Sequence, residues 1–356
     1  MNNNITIVTP KLYISGGVAS YWSSLLPLLI KRNSSIKNFQ IGGNGKNPIA
    51  IIKEQYKFKK EIKNNSLVFL NPSLGFNSFF RDGFFAKQLI SKNIPFIVFF
   101  HGWNLDFESK VTKKYQSFFL NSFGKAKKIF VLSKDFKNKL EEWGYKGEII
   151  IETTNIDSTL LKDFNFEEKL DDINKTQSLK ILFLARMLKE KGIFETIESF
   201  NNLSDNYNIE LFIAGDGEDL SEVKKISKNN PKIHVLGRVE GQEKIDLFSK
   251  SHIYAFPTFY GEGLPTSILE AMAFGMPVIT TNMGGLKEFF KNEEMGYLIK
   301  PKNIKELTNG LEKLITDKDK ISQFAKFNFA FAKKELLNTV VSDKIYKHIE
   351  EVINDK

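Results

Sequence analysis

Short apolar runs alternate with longer segments whose apolar residues recur every three or four positions. In the first half the runs Ile5–Val8, Leu67–Leu70, Pro95–Phe100 and Lys128–Leu132 predict strands. In the second half Leu179–Leu184, Ile209–Ala214, Ile233–Val235 and Pro277–Thr280 do the same. Segments 18–31, 76–92, 107–126, 134–143, 193–204, 320–334 and 338–353 carry helical spacing. Strands that alternate with helices imply parallel sheets covered on both faces, an α/β class. The polar stretch Asp163–Ser178 is the best linker candidate. The expectation is two Rossmann-like halves facing a central cleft, with ligands at the carboxyl ends of the strands.

Composition narrows the class. A chain of 356 residues can fill two cores. It has no Cys, which excludes disulfides, thiolate metal sites and a Cys nucleophile, and fits a reducing compartment. The start, Met1-Asn2-Asn3-Asn4, does not read as a signal peptide, and the run Ile94–Phe100 is too short to span a bilayer. The expected location is therefore cytoplasmic. Charge is uneven: residues 1–150 carry a net +14, and the rest −5, of the total +9. Lys53, Lys57, Lys59, Lys60 and Lys63 form one cluster; Lys110, Lys113, Lys114, Lys125, Lys127 and Lys128 form another. Such clusters serve either as a solvated surface or as an attraction for anionic headgroups or an anionic acceptor. Phe79, Phe80, Phe84 and Phe85 fit a core helix or an acceptor- or membrane-facing patch.

The densest chemistry lies in Gly261-Glu262-Gly263-Leu264-Pro265-Thr266-Ser267-Ile268-Leu269-Glu270-Ala271. One carboxylate sits in a Gly-rich loop, and the second follows eight residues later. Pro265 or Thr266 can start a helix there, because Pro suits its first position and Thr can cap. Backbone N–H groups at a helix start attract phosphate, while carboxylates accept from hydroxyls. A ligand that is part polyol and part phosphate, such as a nucleotide sugar, suits both. Arg186 and Lys191 follow the strand Leu179–Leu184 and can neutralise a diphosphate without a metal. Tyr13-Ile14-Ser15-Gly16-Gly17-Val18 opens a helix after the first strand, and its paired Gly lets backbone approach a ligand. His101-Gly102-Trp103 ends the strand Pro95–Phe100; His101 is there either structural or ligand-contacting, and Trp103 either lines the acceptor side or packs. Ala214-Gly215-Asp216-Gly217 holds G-x-G, but Leu220 breaks the dinucleotide fingerprint. No His/Asp/Glu cluster has metal-ligand spacing.

These segments resemble the family-four retaining nucleotide-sugar glycosyltransferases, which have the GT-B fold. Gly261–Ala273 resembles that family's two-glutamate signature, and Phe183–Gly192 its Arg-plus-Lys diphosphate motif. Ala214-Gly215-Asp216-Gly217, Ala255-Phe256-Pro257 and Gly284-Gly285 fall in the family's order; the match is specific over residues 179–300. Ala185 stands where Gly usually precedes the Arg. Asn155, in Thr154-Asn155-Ile156-Asp157, stands for a Gly that Asn can replace in left-handed geometry.

The resemblance implies residue roles. Glu262 would hold hydroxyls of the donor sugar and Glu270 those of the ribose. Gly263, Leu264 and Thr266 would offer backbone N–H groups, and Gly237-Arg238-Val239 resembles the loop whose backbone reads the base. Gly16, Gly17, Gly215 and Gly217 would line the donor, and His101 would contact the transferred sugar. It implies domains over 1–162 and 163–336, with a final helix, 337–356, packing back on the first. It also implies a metal-independent retaining hexosyl- or N-acetylhexosaminyltransferase with no cofactor. The donor would be a nucleotide-diphosphate sugar, UDP-sugar favoured. The acceptor would be a glycan or a polyprenyl-linked molecule met at an anionic membrane surface, in bacterial cell-surface polysaccharide or glycoconjugate synthesis, with no nucleic acid partner. Competing readings are a sugar phosphorylase with pyridoxal phosphate, a nucleotide-sugar epimerase of the same fold, a glycosidase that would leave Arg186 and Lys191 idle, and a basic non-enzymatic binding module.

Overall fold

A computed structural model describes residues 4–14, 16–42, 48–260 and 264–355, without the side chains of residues 48–50. Contacts divide the chain into two compact units. The first joins Met1–Asn155 to Asn338–Lys356, and the second is Ile156–Leu337.

The strands of the first unit are β1 Ile5–Pro10, β2 Ile36–Ile41, β3 Leu67–Leu70, β4 Ser73–Leu74, β5 Phe96–Phe99, β6 Gly102–Trp103, β7 Lys128–Val131 and β8 Glu148–Ile151. Six of them form a parallel sheet in the order β2-β1-β3-β5-β7-β8, and β4 pairs with β6. β3, β5 and β7 are buried at every residue, as continuous apolar runs covered on both faces must be. The order reverses between β1 and β3, which makes the ends of these strands the switch point where a ligand crevice opens. The last helix, Asn338–Asn354, belongs to this unit. Lys128 at the start of β7 ties it down, with Nζ 2.5 Å from Glu351 and 2.9 Å from Glu148 of β8.

The second unit contains β9 Leu179–Leu184, β10 Ile209–Ala214, β11 Ile233–Gly237, β12 Ile253–Phe256, β13 Val278–Thr281 and β14 Gly296–Ile299. All pair in parallel in the order β11-β10-β9-β12-β13-β14, with the switch point between β9 and β12. Two parallel-sheet α/β units of this kind make up the expected GT-B fold.

Three local expectations change. The stretch Asp163–Ser178 is not a linker: Phe166–Lys175 is a helix, capped by Asn165 Oδ1, which accepts from Glu167 N at 3.0 Å and Glu168 N at 3.4 Å. Segment 107–126 is not one helix. It runs as Leu105–Lys110, a π-helical turn Val111–Tyr115, then Gln116–Leu120. The wider winding of the π turn keeps Phe119 on the same buried side as Phe107 and Val111. Asn155 is not left-handed; the non-Gly residues with positive φ among those described are Asn93, Glu293 and Lys302. It is buried, and its amide accepts from Ser24 Oγ at 2.7 Å and donates to the Tyr21 carbonyl at 3.2 Å. Its side chain, rather than its backbone, explains its place.

Candidate functional site

In the second unit the sequence motifs gather on the carboxyl ends of β9, β10 and β12. The loop after β9 runs beside the one after β10. Met187 N donates to the Asp216 carbonyl at 3.0 Å, Lys189 N to Asp219 at 2.7 Å, and Gly215 N to the Gly237 carbonyl at 2.6 Å. The fit is close enough that a Cβ on Gly215 (φ +138°) would lie 1.8 Å from the Ala185 carbonyl oxygen. One on Gly217 (φ +156°) would lie 2.5 Å from that of Met187. These glycines are demanded by the chain's own backbone.

Past that turn, Lys191 is 5% exposed, whereas Arg186 is exposed. The Lys-bearing turn Lys189–Lys191 is pinned to the segment after β12. The Glu190 carbonyl accepts from Phe259 N at 2.8 Å, Tyr260 N at 3.0 Å and Thr258 Oγ1 at 3.2 Å. The Lys191 ammonium lies 4.3 Å from the centre of the Tyr260 ring. Burial, reinforced by the Arg186 charge, pulls Lys191 down to about 8, with Glu190 opposing. A buried ammonium destabilised in this way gains by meeting an anion.

The helix Thr266–Ala273 starts at the same edge. Pro265 takes the cap position and Thr266 is the first helical residue, with no side-chain cap and no acidic residue in the first turn. Elsewhere Asn104, Ser133, Asn165, Asn303 and Asp317 cap their helices with side chains. Thr266 therefore leaves its helix start open to an anion, with Leu264 just ahead of it. Glu270, one turn in, is mostly buried, and its carboxylate meets Lys244 Nζ at 2.7 Å. Burial raises its pKa, while Lys244 opposes that rise. Beneath the helix, the Tyr254 hydroxyl donates to the Leu184 carbonyl at 2.8 Å and is held well above its ordinary range by burial. It locks the end of β9 to β12 at the switch point. Arg238, after β11, is exposed and forks onto Glu240 through Nε at 2.9 Å and a terminal nitrogen at 2.5 Å. Glu262 and Gly263 lie outside the described residues.

In the first unit, Gly16 and Gly17 open the helix Gly17–Arg32 beyond β1. A Cβ on either would meet nothing within 4 Å among the described residues. His101 follows β5. Its ring lies 3.8 Å from that of Phe99 and 4.8 Å from that of Tyr21 between centres, and Nε2 sits 3.1 Å from Asn71 Oδ1. Burial pushes the imidazole down to about 3, so it is neutral at physiological pH. Trp103 is half-buried: it stacks on Phe136 at 4.3 Å, and its Nε1 donates to Glu108 at 2.6 Å. Phe79 and Phe85 are core residues; Phe84 on the same helix is 48% exposed.

Residues 165–329 match the family of glycosyl transferases group 1. That match covers most of the second unit, Ile156–Leu337. The chain is 29% identical over 286 residues to an uncharacterised glycosyltransferase of Methanocaldococcus jannaschii, covering 76% of this chain and 72% of that one. It is 27% identical over 228 residues to the capsular polysaccharide biosynthesis glycosyltransferase CapM of Staphylococcus aureus, covering 63% and 57%. Its fold is similar to that of HepE of Anabaena, crystallised in complex with UDP, with a TM-score of 0.76, 14% identity and coverage of 98% and 100%.

Within the second unit, Lys244 and Tyr254 escaped sequence reasoning. Lys244 sits in the helix Gly241–Lys250 without a motif, and Tyr254 lies in β12, a strand the apolar pattern did not predict. In the first unit Asn71 escaped too. A lone Asn just past a strand carries no signal until the neighbouring strands are ordered.

Proposed function

We propose that the chain transfers a sugar from a nucleotide-diphosphate sugar, UDP-sugar favoured, to a glycan or polyprenyl-linked acceptor. The reading places it in bacterial cell-surface polysaccharide or glycoconjugate synthesis, as a retaining, metal-independent hexosyl- or N-acetylhexosaminyltransferase. The observation that carries it is the convergence of Arg186, buried Lys191 and the uncapped start at Thr266 on one edge of the unit that carries the group 1 match. Together they supply positive charge and open N–H groups for a diphosphate, with Glu270 a turn away to accept from ribose hydroxyls.

In the reaction the anomeric carbon–phosphate oxygen bond breaks and a bond to the acceptor oxygen forms. The acceptor proton passes to the departing phosphate, so no separate base is required. Arg186, Lys191 and the helix start stabilise the charge that develops on the diphosphate. Glu262 and His101 are assigned to the transferred sugar. Gly16, Gly17, Gly215, Gly217, the Arg238 loop, Gly263 and Leu264 are assigned to the donor. The relatives' names support a role in polysaccharide synthesis, and the bound UDP of HepE supports the nucleotide.

For the acceptor, the reading adds peripheral binding of the first unit to an anionic membrane at the inner face of the cell membrane. The helix Pro48–Glu61 exposes Ile52 (68%) and Tyr56 (60%) beside Lys53, Lys57, Lys59 and Lys60. No helix among the described residues is long and apolar enough to cross a membrane. Each Lys near an anionic surface contributes about 1 kcal/mol, so the binding should be salt-reversible. Sedimentation with anionic but not neutral vesicles is expected; equal sedimentation with both overturns the electrostatic account.

A thermal-shift screen of UDP, GDP, ADP and their sugars tests the donor. A ligand at 100 times its Kd stabilises by about 2.7 kcal/mol. No shift with any nucleotide, and no nucleotide release with acceptor lipid present, would remove the proposal.

A further inference from the structure

We propose that Asn71 is a positioning residue: it holds His101 in one neutral tautomer, Nε2 protonated and Nδ1 offered as an acceptor, so that His101 takes a ligand hydroxyl rather than an anion. The ligand's identity rests on the sugar-transfer reading above; the tautomer does not.

At the switch point of the first sheet, the connections leaving β1 and β3 run to opposite sides. Asn71 follows β3 directly and is 7% exposed. Its Nδ2 lies 2.8 Å from the carbonyl of Val8 on β1. A carbonyl oxygen only accepts, so the amide must turn its nitrogen toward β1. That leaves Oδ1 facing His101, 3.1 Å from Nε2. An amide oxygen also only accepts, so Nε2 must carry the hydrogen. A neutral imidazole has a single N–H, and Nδ1 is left with a lone pair. The backbone is held at the same place, since His101 N donates to the Pro72 carbonyl at 3.2 Å.

The surroundings keep the ring fixed and neutral. Phe99, Tyr21 and Trp22 pack around it at centre distances of 3.8, 4.8 and 6.4 Å. Nδ1 has no hydrogen-bond partner among the described residues, and it is not among the fully buried unpartnered atoms. It is therefore the ring nitrogen that a ligand can reach. A neutral acceptor matches a sugar hydroxyl and repels the oxygens of a phosphate or carboxylate.

The tautomer can be read in the unliganded protein. The chain has four His, and the signals of His101 are those missing from His101→Gln. Imidazole nitrogen-15 shifts at pH 7 should show a protonated Nε2 and an unprotonated Nδ1. A protonated Nδ1, alone or with Nε2, overturns the proposal. In Asn71→Ala the constraint is gone, and His101 should become a mixture of tautomers; an unchanged Nε2–H signal shows that Asn71 does not set it. The hydroxyl is tested by turnover with UDP-hexose. His101→Asn places an amide oxygen near the Nδ1 position and should retain several-fold more activity than His101→Leu, which should lose roughly tenfold or more while UDP binding is unchanged. Equal loss in both variants overturns the acceptor role of Nδ1. If the protein binds no nucleotide sugar at all, the functional reading fails while the nitrogen shifts still decide the tautomer.

Discussion

The glycines after β1 and those after β10 look alike in the sequence but answer to different neighbours. A side chain on Gly215 or Gly217 would drive into the backbone of the loop after β9, at 1.8 and 2.5 Å. On Gly16 or Gly17 it would meet nothing within 4 Å among the described residues. The first pair is required by the fold of the second unit. The second pair meets no packing need among the described residues, which leaves room for the ligand contact proposed for it. A glycine-rich loop therefore says little about ligands until the space around each missing Cβ is known. The cations also differ: exposed Arg238 is engaged by Glu240, while Lys191 is buried beside the Tyr260 ring, where burial disfavours its ammonium.

The comparison is broken most directly at Gly215. Gly215→Ala should cost about 4 kcal/mol or more, because a backbone carbonyl cannot yield to a Cβ at positive φ. Thermal melting should show a large fall, and an unchanged melting temperature would overturn the packing argument. Next come the cations. Arg186→Ala and Lys191→Ala should each weaken UDP binding on the order of 10- to 100-fold, from about 1.5–3 kcal/mol per charged hydrogen bond. Without ligand, the exposed Arg186→Ala should melt close to the parent, and calorimetry with UDP checks the binding loss in both. Glu270→Gln should sharpen the picture, since Glu270 answers to both sides. It should weaken nucleotide binding and also lower stability by about 1 kcal/mol, because Lys244 loses its partner in a mostly buried place. Glu262→Gln should depress turnover while the nucleotide still binds.

Gly17→Ala should leave the fold intact or stabilise it by about 0.4–1 kcal/mol, yet reduce turnover roughly tenfold. A fully active variant would show that the open space at Gly17 is not the ligand's. The smallest effect is in pH. The unfolded chain keeps the Lys191 proton to about 10.5, whereas the folded one releases it near 8. Between those values the unfolded state binds more protons, so this residue's contribution makes stability rise with pH. Nucleotide affinity runs the other way: it needs the ammonium, and should fall by up to about tenfold from pH 7 to 9. In Lys191→Ala that slope should vanish; a slope that survives would assign it to another group.

Much of the fold was legible in the pattern. The strands that the short apolar runs predicted are present, because buried parallel strands must be apolar at nearly every position. β2, β8, β12, β14 and the two-residue β4 and β6 were missed; β12 is buried at every residue, and its four-residue run carried no separate signal. β2 and β8 are edge strands whose exposed positions dilute the apolar signal. The helix Phe166–Lys175 was read as a linker because its composition is polar, yet Lys169, Leu170 and Ile173 are buried in it. Lys169 belongs there because its ammonium donates to the carbonyls of Phe248, Ser249 and Ser251 at the end of the helix Gly241–Lys250. No hydropathy pattern shows a lysine satisfied by backbone eighty residues away.

The sequence by itself determined the α/β class, the division into two sheet-forming halves, and the residue types able to meet a diphosphate and a polyol. It could do so because periodicity and residue chemistry are local properties. The tertiary structure alone decided the order of strands across each sheet, and with it which loops stand side by side. That order seats Tyr254 against Leu184, sets Glu190 against the segment after β12, and brings Asn71 between Val8 and His101. The physical reason is that a hydrogen bond's direction and a Cβ's free space depend on neighbours far along the chain. The roles of Gly17, Gly215 and His101 depend on those two properties.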